Sequence, residues 1–325
     1  MVTGTLLTGV APVNAAPTLS DVRAQVTRLQ IEASAAAEAG QQAQVELGKL
    51  TRSLNSVQQQ DSQQASSMAS LKKSLGQIAR QQYQNNGLSE SMSLLFSSDP
   101  SLYLQTAGSL SMVTARKALQ LSRYTTAEQR LRATSLTLND KVALVAAAKK
   151  KFAAQEALAQ AKLQQAEALL AKLTKDQRDA LAKLQANQDN ADQQSSLALA
   201  AEGLKVSGRS GIAIRYALKQ LGSRYRFGAA GLVYWDCSGL TMRALQQAGI
   251  SVPHSASAQT AYGRSVPLNQ IRPGDLVFFG QPISHVGIYF GGGKMVDAPH
   301  TGARVRIESF SSWFGGEKFV AARRF

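Results

Sequence analysis

Apolar residues recur every seven positions along the first part of the chain, from Val22 to Ile78. One position of this repeat holds aliphatic or alanine side chains at Val22, Leu29, Ala36, Ala43, Leu50, Val57, Leu71 and Ile78. The position four residues later follows the same pattern. A sustained seven-residue repeat predicts a coiled-coil helix. Asp61 and Gln64 interrupt its apolar seam, so we expect the helix to be weakest between residues 58 and 67.

A second helical pattern extends from about residue 112 to residue 184. It is clearest at Leu163, Ala166, Leu170, Leu173, Ala180 and Leu184. Between the two helices, Asn-Asn-Gly at 85–87 and Ser-Asp-Pro at 98–100 break the pattern. We therefore predict an antiparallel helical hairpin over residues 19–186, with a small helical cap near residues 88–112. The apolar stripes of the two helices can have no other role than to pack against each other, whereas the apolar cluster at the cap is suited to docking a partner.

Residues 187–208 are rich in Gln, Asn, Asp, Ser and Ala, and their heptad signal is weak. This composition predicts a linker with at most a short helix around residues 197–204. From residue 209 onward, helices come first and short strands follow. The strands are expected at 275–279, 285–290, 294–298, 305–307 and 319–321. This order predicts an α+β domain over residues 209–325.

The two halves of the chain differ in composition as well as in pattern. All three histidines, the only cysteine and 17 of the 25 glycines lie after residue 206. The formal charge of +15 allows a nucleic-acid partner, but basic residues are spread over both halves and no recognition motif accompanies them. We therefore expect no nucleic-acid partner, and a basic surface fits an anionic matrix such as cell-wall polymer equally well. One cysteine excludes an intramolecular disulfide framework.

Residues 1–16 resemble the end of a secretion signal, because a short apolar run leads to small residues at a cleavage-like site. A flexible, mildly apolar N-terminus is the alternative interpretation. The run is too short to span a bilayer, so we expect a secreted protein without a transmembrane anchor.

The strongest chemical signal is Cys237, which stands in Asp-Cys-Ser-Gly-Leu at the predicted start of a helix. A helix N-terminus or a nearby imidazole can turn a thiol into a reactive thiolate. His285 begins an apolar strand, and Asp297 follows 12 residues later, across a Gly-Gly-Gly turn. On two paired strands these side chains can share one face, so that the carboxylate orients the imidazole. Cys237, His285 and Asp297 thus form a candidate catalytic triad.

Six segments occur in the order and approximate spacing of the NlpC family of papain-like peptidoglycan endopeptidases, which this region resembles. They are Tyr-x-x-Gly at 225–228, Asp-Cys-Ser-Gly-Leu at 236–240, Pro-His-Ser-x-x-x-Gln at 253–259, Arg-Pro-Gly-Asp-Leu-Val-Phe-Phe at 272–279, His-Val-Gly-Ile-Tyr at 285–289 and Ala-Arg-Arg at 322–324. The resemblance implies a papain-like α+β fold. The long helical region before it resembles, in architecture alone, divisional cell-wall hydrolases of the RipC and PcsB type.

Carried over by motif, the resemblance implies Cys237 as nucleophile, His285 as base and then acid, and Asp297 as the third polar residue, where many family members have His. It further implies that the oxyanion and substrate-binding groups are Tyr225, Asp236, Ser238, His254 and Ser255. The chain departs from the family at Tyr225-Arg226-Phe227-Gly228-Ala229, which replaces the usual Trp-Gly-Gly ending, and at His254, where Arg is frequent. These departures concern the rim of the substrate groove.

The resemblance implies a secreted hydrolase that cleaves peptidoglycan stem peptides between D-glutamate and the diamino acid, without a cofactor or metal. An amidase or acyltransferase on the same fold and a non-catalytic wall-binding scaffold are the alternatives. Because a freely active wall hydrolase endangers its own cell, we expect the helical arm to regulate the enzyme. It would either cover the Cys237 groove or dock onto an FtsEX-like membrane complex.

Overall fold

The computed structural model describes residues 18–84, 100–309 and 318–325. The predicted signal segment at 1–16 and residues 88–99 of the predicted cap lie outside the described residues. Two compact units divide the chain. One combines the residues up to Val45 with those from Lys149 to Phe325, and the other is Glu46–Ala148. Each unit therefore contains a part of both long helices, a division that differs from the predicted boundary between hairpin and catalytic domain.

The first two helices are α1, Leu19–Gln84, and α2, Pro100–Ala171. Within the first unit, Val22 and Val26 pack against Ala166, while further along α1 Ala36 and Ala37 pack against Ala159. Partners on α2 thus come earlier in the chain as α1 proceeds, so the two helices are antiparallel there. In the described part of the chain, no helix combines the length and the apolar character that a membrane span needs.

The polar interruption of the heptad repeat has partners. Within the second unit, the Thr134 hydroxyl donates to Gln64 Oε1 at 2.8 Å. Ser135 likewise donates to Asp61 Oδ1 at 3.0 Å. Asp61 and Gln64 are only half-buried. Because hydrogen bonds satisfy both side chains, the structure gives no sign of the predicted weak point.

The described residues of the C-terminal domain form three α-helices and a 3₁₀ turn: α4 Gly208–Leu218, α5 Cys237–Gln247, α6 Ala256–Gln259 and the turn Leu268–Gln270. Its strands are β1 Arg224–Tyr225, β2 Tyr234–Trp235, β3 Arg264–Ser265, β4 Leu276–Phe279, β5 His285–Gly291, β6 Lys294–Asp297, β7 Arg306–Ser309 and β8 Phe319–Arg324. Six strands form one antiparallel sheet in the order β3-β8-β4-β5-β6-β7. The predicted α+β class is confirmed.

Alternation along β4 supplies both faces of the sheet. Leu276 and Phe278 join the main core, to which α4 and α5 contribute their apolar sides. Val277 and Phe279 point the other way and pack into a smaller cluster that includes Met295. Because side chains alternate along a strand, a run of four buried apolar residues marks a strand covered on both faces.

The predicted linker from residue 187 was wrong for residues 187–201, which belong to a third long helix. Helix α3 spans Lys175–Ala201 and begins at a capping box, in which the Thr174 side chain accepts from Gln177 N. Its polar residues pack on the edge strand β7. Gln193 donates to the carbonyl of Val305 at 3.1 Å, and Ser196 accepts from Ile307 N at 2.9 Å. The polar side chains whose composition indicated a flexible segment instead form hydrogen bonds with backbone groups at the edge of the sheet.

We expect Ser196→Ala to lower the free energy of unfolding by about 1–3 kcal/mol, because the buried Ile307 N–H loses its acceptor. Ser196 is fully buried, whereas the neighbouring Ser195 is exposed. Ser195→Ala is therefore the matched control and should change stability by less than about 0.5 kcal/mol. Chemical denaturation of both variants measures the difference, and equal stability would show that α3 does not secure the sheet edge.

Candidate active site

Cys237 is the first residue of α5, and its thiol is buried. Asp236 caps this helix, since its Oδ1 accepts from Gly239 N at 2.7 Å. The first N–H groups of a helix lack intrahelical partners, so the backbone at Cys237 can stabilise a negative charge. Gly239 is required here. A Cβ at that position would lie 2.4 Å from the Ala229 carbonyl oxygen and 2.9 Å from His254 Nε2.

His285 and Asp297 meet as the sequence predicts. His285 begins β5 and Asp297 ends β6, and the Nε2–H of His285 donates to Asp297 Oδ2 at 2.8 Å. Both side chains are almost completely buried, at 2% and 0% exposure. Gly287 makes room between the strands, since a Cβ there would approach the Met295 sulfur to 2.7 Å and Asp297 Cβ to 3.3 Å. Gly287 thus leaves the space that the His285–Asp297 pair needs.

The thiol lies beside the histidine strand. The backbone N–H of Val286, the residue after His285, hydrogen-bonds the Cys237 sulfur. Because Nε2 is directed at Asp297, proton exchange with the thiol would use the other ring nitrogen, Nδ1. The structure therefore brings the three predicted triad residues to one place.

The other predicted groove residues surround the same thiol. His254 Nε2 lies 2.8 and 3.0 Å from the two carboxylate oxygens of Asp236. Burial lowers the pKa of His254, but hydrogen bonding to Asp236 and its charge outweigh burial and raise that pKa above its usual value. Tyr225, Ser238 and Ser255 are all buried. The charge of Cys237 acts on the pKa of Tyr225, which places the phenol close to the thiol.

Four polar residues of α1 contact this group of side chains. Ser34, Glu38, Gln41 and Gln42 share one face of the helix, because residues four and seven or eight apart lie in one stripe. All four belong to the same compact unit as the catalytic domain. We call them the arm stripe.

Glu38 is the centre of the arm stripe. One of its oxygens, Oε2, lies 3.6 Å from the Cys237 sulfur and 2.9 Å from Ser238 Oγ. The other, Oε1, accepts from the backbone N–H of Ala256 at the start of α6. Glu38 is almost completely buried, at 3% exposure. Its carboxyl group occupies the space directly in front of the thiol.

The remaining stripe residues engage the predicted substrate groups one by one. Gln41 Nε2 donates to Asp236 Oδ2 at 2.7 Å, and its Oε1 accepts from Ser238 at 2.9 Å. Gln42 Oε1 accepts from Ser255 at 2.9 Å. Ser34 hydrogen-bonds the Tyr225 side chain. Each of these polar groups of the groove is thus occupied by α1.

The arm stripe changes the ionisation of the site. Burial raises the pKa of the Cys237 thiol well above its ordinary value, and the charges of Glu38 and Asp236 raise it further. Burial, followed by the charge of Asp236, raises the pKa of Glu38 itself to about 7. The thiol is therefore neutral in this arrangement, and a neutral thiol is a poor nucleophile.

The sequence predicted the residues that the structure places around Cys237, but it did not predict the arm stripe. A signal was present in Ala33-Ser34-Ala35-Ala36-Ala37, where small residues surround the helix and allow close packing on two sides. One departure from the family pattern also has a contact here, since Phe227 packs against the cluster of Ala36, Ala37 and Ala159. In the described ranges, no group of three or more His, Cys, Asp or Glu side chains is arranged to bind a metal ion.

Comparisons with known proteins find similarity in the C-terminal part of the chain. Residues 222–324 match the NlpC/P60 family. The probable endopeptidase Rv2190c of Mycobacterium tuberculosis is 43% identical over 99 residues, which are 30% of this chain and 26% of that protein. The probable endopeptidase p60 of Listeria monocytogenes is 43% identical over 102 residues, 31% of this chain and 21% of that protein. The chain thus spans about a quarter of the length of these relatives.

Among solved structures, the hypothetical invasion protein Rv1477 of Mycobacterium tuberculosis is similar at 33% identity and a TM-score of 0.32, covering 36% of this chain and 61% of that one.

The raised pKa of Glu38 predicts a stability that depends on pH. Its ordinary pKa is 4.5 and its folded pKa is about 7, so the stability it contributes is complete below about 4.5 and lost as the pH rises through 7. Glu38→Gln removes this titration. We expect the variant to gain stability over the wild type between pH 5 and 8, on the order of 3 kcal/mol at the upper end. Denaturation at a series of pH values measures the gain, and a difference independent of pH would contradict the buried carboxyl.

Proposed function

Because the C-terminal part of this chain is an NlpC/P60 domain, we propose that the chain is a cysteine endopeptidase of peptidoglycan. The proposed scissile bond joins D-glutamate to the diamino acid of the stem peptide. The observation that carries this proposal is the placement of Cys237 at a helix start beside the buried pair His285–Asp297. A thiol, a base and an orienting carboxylate are the components of acyl transfer by a cysteine nucleophile.

The reaction follows from the positions of these groups. His285 Nδ1 takes the proton of Cys237, and the thiolate attacks the scissile carbonyl carbon. Asp297 stabilises the imidazolium that forms. The backbone N–H of Cys237 and the hydroxyl of Tyr225 donate hydrogen bonds that stabilise the oxyanion. His285 then protonates the leaving amine and afterwards activates the water that hydrolyses the acyl-enzyme.

We further propose that α1 holds the enzyme inactive. A stem peptide must reach Cys237, Ser238 and Ser255, and the arm stripe already contacts all three. Substrate and arm stripe would thus compete for the same donors and acceptors. The negative charge of Glu38 also opposes the thiolate that catalysis needs. Activation then requires α1 to leave the groove.

The proposal also includes a location outside the cytoplasm and a membrane complex as the partner. A wall hydrolase acts outside the cytoplasm, and the net charge of +15 suits an anionic wall polymer. The resemblance to divisional hydrolases supports an FtsEX-like membrane complex as the partner that moves α1. A membrane complex that binds the helical region could supply the energy that displacing several buried hydrogen bonds demands.

The triad is tested on purified wall material in a Glu38→Ala parent, in which the groove should be accessible. Cys237→Ala in this parent should abolish hydrolysis. Asp297→Asn keeps the size but loses the charge, so kcat should fall on the order of 10³-fold or more with stability nearly unchanged. Mass spectrometry of the released muropeptides identifies the bond. Cleavage at another bond would indicate an amidase, and hydrolysis retained by Cys237→Ala would contradict the cysteine mechanism.

Inhibition by α1 is tested by comparing the full-length wild type with Glu38→Ala and with Glu38→Ala/Gln41→Ala. We expect wall hydrolysis to rise about tenfold or more in the double variant, because the five buried hydrogen bonds that Glu38 and Gln41 make to the groove are lost. Gln44→Ala is the matched control, since Gln44 lies on the same helix and is exposed. Equal rates in all four proteins would leave α1 with no inhibitory role.

A further inference from the structure

A second buried carboxyl group lies next to the proposed orienting residue. The register of β6 and β7 pairs Asp297 with Arg306 and Met295 with Glu308. Glu308 is therefore the diagonal neighbour of Asp297 on the same face of the sheet, within reach of its side chain. The two carboxyl groups are close enough for Asp297 to act directly on the pKa of Glu308.

Arg306 determines which oxygen of Glu308 takes part. Its Nη2 and Nε atoms donate to the same oxygen, Oε2 of Glu308, at 2.6 and 2.9 Å. The other oxygen, Oε1, is completely buried, and no N–H group of the described residues donates to it. Asp297 Oδ1 is completely buried as well. Oε1 is therefore the oxygen of Glu308 that its contacts with Arg306 leave available to Asp297.

Two carboxyl groups in such contact must share a proton. Two carboxylate oxygens that face each other repel, and one of the pair stays protonated. Burial, and then the charge of Asp297, raise the pKa of Glu308 to about 8, although Arg306 opposes this shift. At neutral pH the proton consequently resides mainly on Glu308.

We propose that Glu308 is a positioning residue for the triad. Its protonated carboxyl group adds a fourth member to the series of Cys237, His285 and Asp297. Its O–H donates to Asp297 Oδ1, while Asp297 Oδ2 accepts from His285. With both oxygens held, Asp297 remains ionised and cannot rotate away from the imidazole. This inference rests on the proposed function, because it assigns Glu308 a task only if Asp297 orients a catalytic histidine.

The other charged groups around Glu308 do not replace this contact. Asp192 of α3 accepts from Arg306 Nη1 at 3.2 Å and so helps to hold the guanidinium. His300 is near enough for the charges of Arg306 and His285 to affect it, but burial lowers the pKa of His300 to about 4, so it is neutral above that pH.

Kinetics in the full-length Glu38→Ala parent test the proposal. Glu308→Ala removes the donor, and kcat should fall about 10- to 100-fold, as expected for a lost hydrogen bond to a charged group. Glu308→Gln supplies an N–H donor in the same place and should restore most of kcat. In the parent, kcat should decline as the pH rises past about 8, the pKa of Glu308. Glu308→Gln should lack that decline. Asp176→Asn, which changes an exposed carboxylate of α3, is the control and should retain the parent profile.

A second measurement does not require activity. The imidazole N–H proton of His285 that bonds to Asp297 can be followed by NMR, and with three histidines in the chain its assignment is tractable. We expect this resonance to shift or broaden in Glu308→Ala and to return in Glu308→Gln. An unchanged resonance in Glu308→Ala, or equal kcat in Glu308→Ala and the parent, would overturn the proposal. A parent that fails to hydrolyse wall material would instead count against the proposed function, and the NMR comparison would still decide the role of Glu308.

Discussion

The burial of the Glu38 carboxyl group against Cys237 governs how this protein can behave. A carboxyl removed from water is costly unless donors surround it, and here Ala256 N–H and the Ser238 hydroxyl supply the donors. The same group raises the pKa of the thiol and fills the space in front of it. In the proposed inhibition, this one side chain acts in two ways, since it occupies the space in front of the thiol and opposes its ionisation.

The C-terminal domain positions the candidate triad on neighbouring elements of its core. The adjacent strands β5 and β6 hold His285 and Asp297, while the capped start of α5 holds Cys237. Helix α3 secures the edge of the sheet at β7, where Arg306 contacts Asp192. Glu308 lies on that same edge strand. The helical region and the catalytic sheet are thus coupled at two places, the groove in front of Cys237 and the edge at β7.

The sequence was most informative where a local pattern determines the structure. Heptad spacing predicted α1 and most of α2, and the turn between β5 and β6 was enough to pair His285 with Asp297. The same spacing carried the second helix on to residue 184, whereas α2 ends at Ala171 and α3 begins at Lys175. The linker prediction failed because the composition of residues 187–201 says nothing about what their polar side chains contact. The sequence did not predict the arm stripe for a related reason. Glu38 lies nearly 200 residues from Cys237, and no local pattern announces that a polar helical face will bind a distant groove.

The reactivity of Cys237 tests the central claim most directly, since it is the only cysteine in the chain. The measurement is the second-order rate constant for alkylation of the intact protein by iodoacetamide at neutral pH, in the wild type, in Glu38→Ala and in the exposed-site variant Gln44→Ala. Our account predicts slow alkylation of the wild type and of Gln44→Ala, and a rate about tenfold or more higher in Glu38→Ala, because each unit by which the thiol pKa falls gives up to tenfold more thiolate. Equal rates in the three proteins would contradict it, since Glu38 would then neither cover the thiol nor hold it neutral.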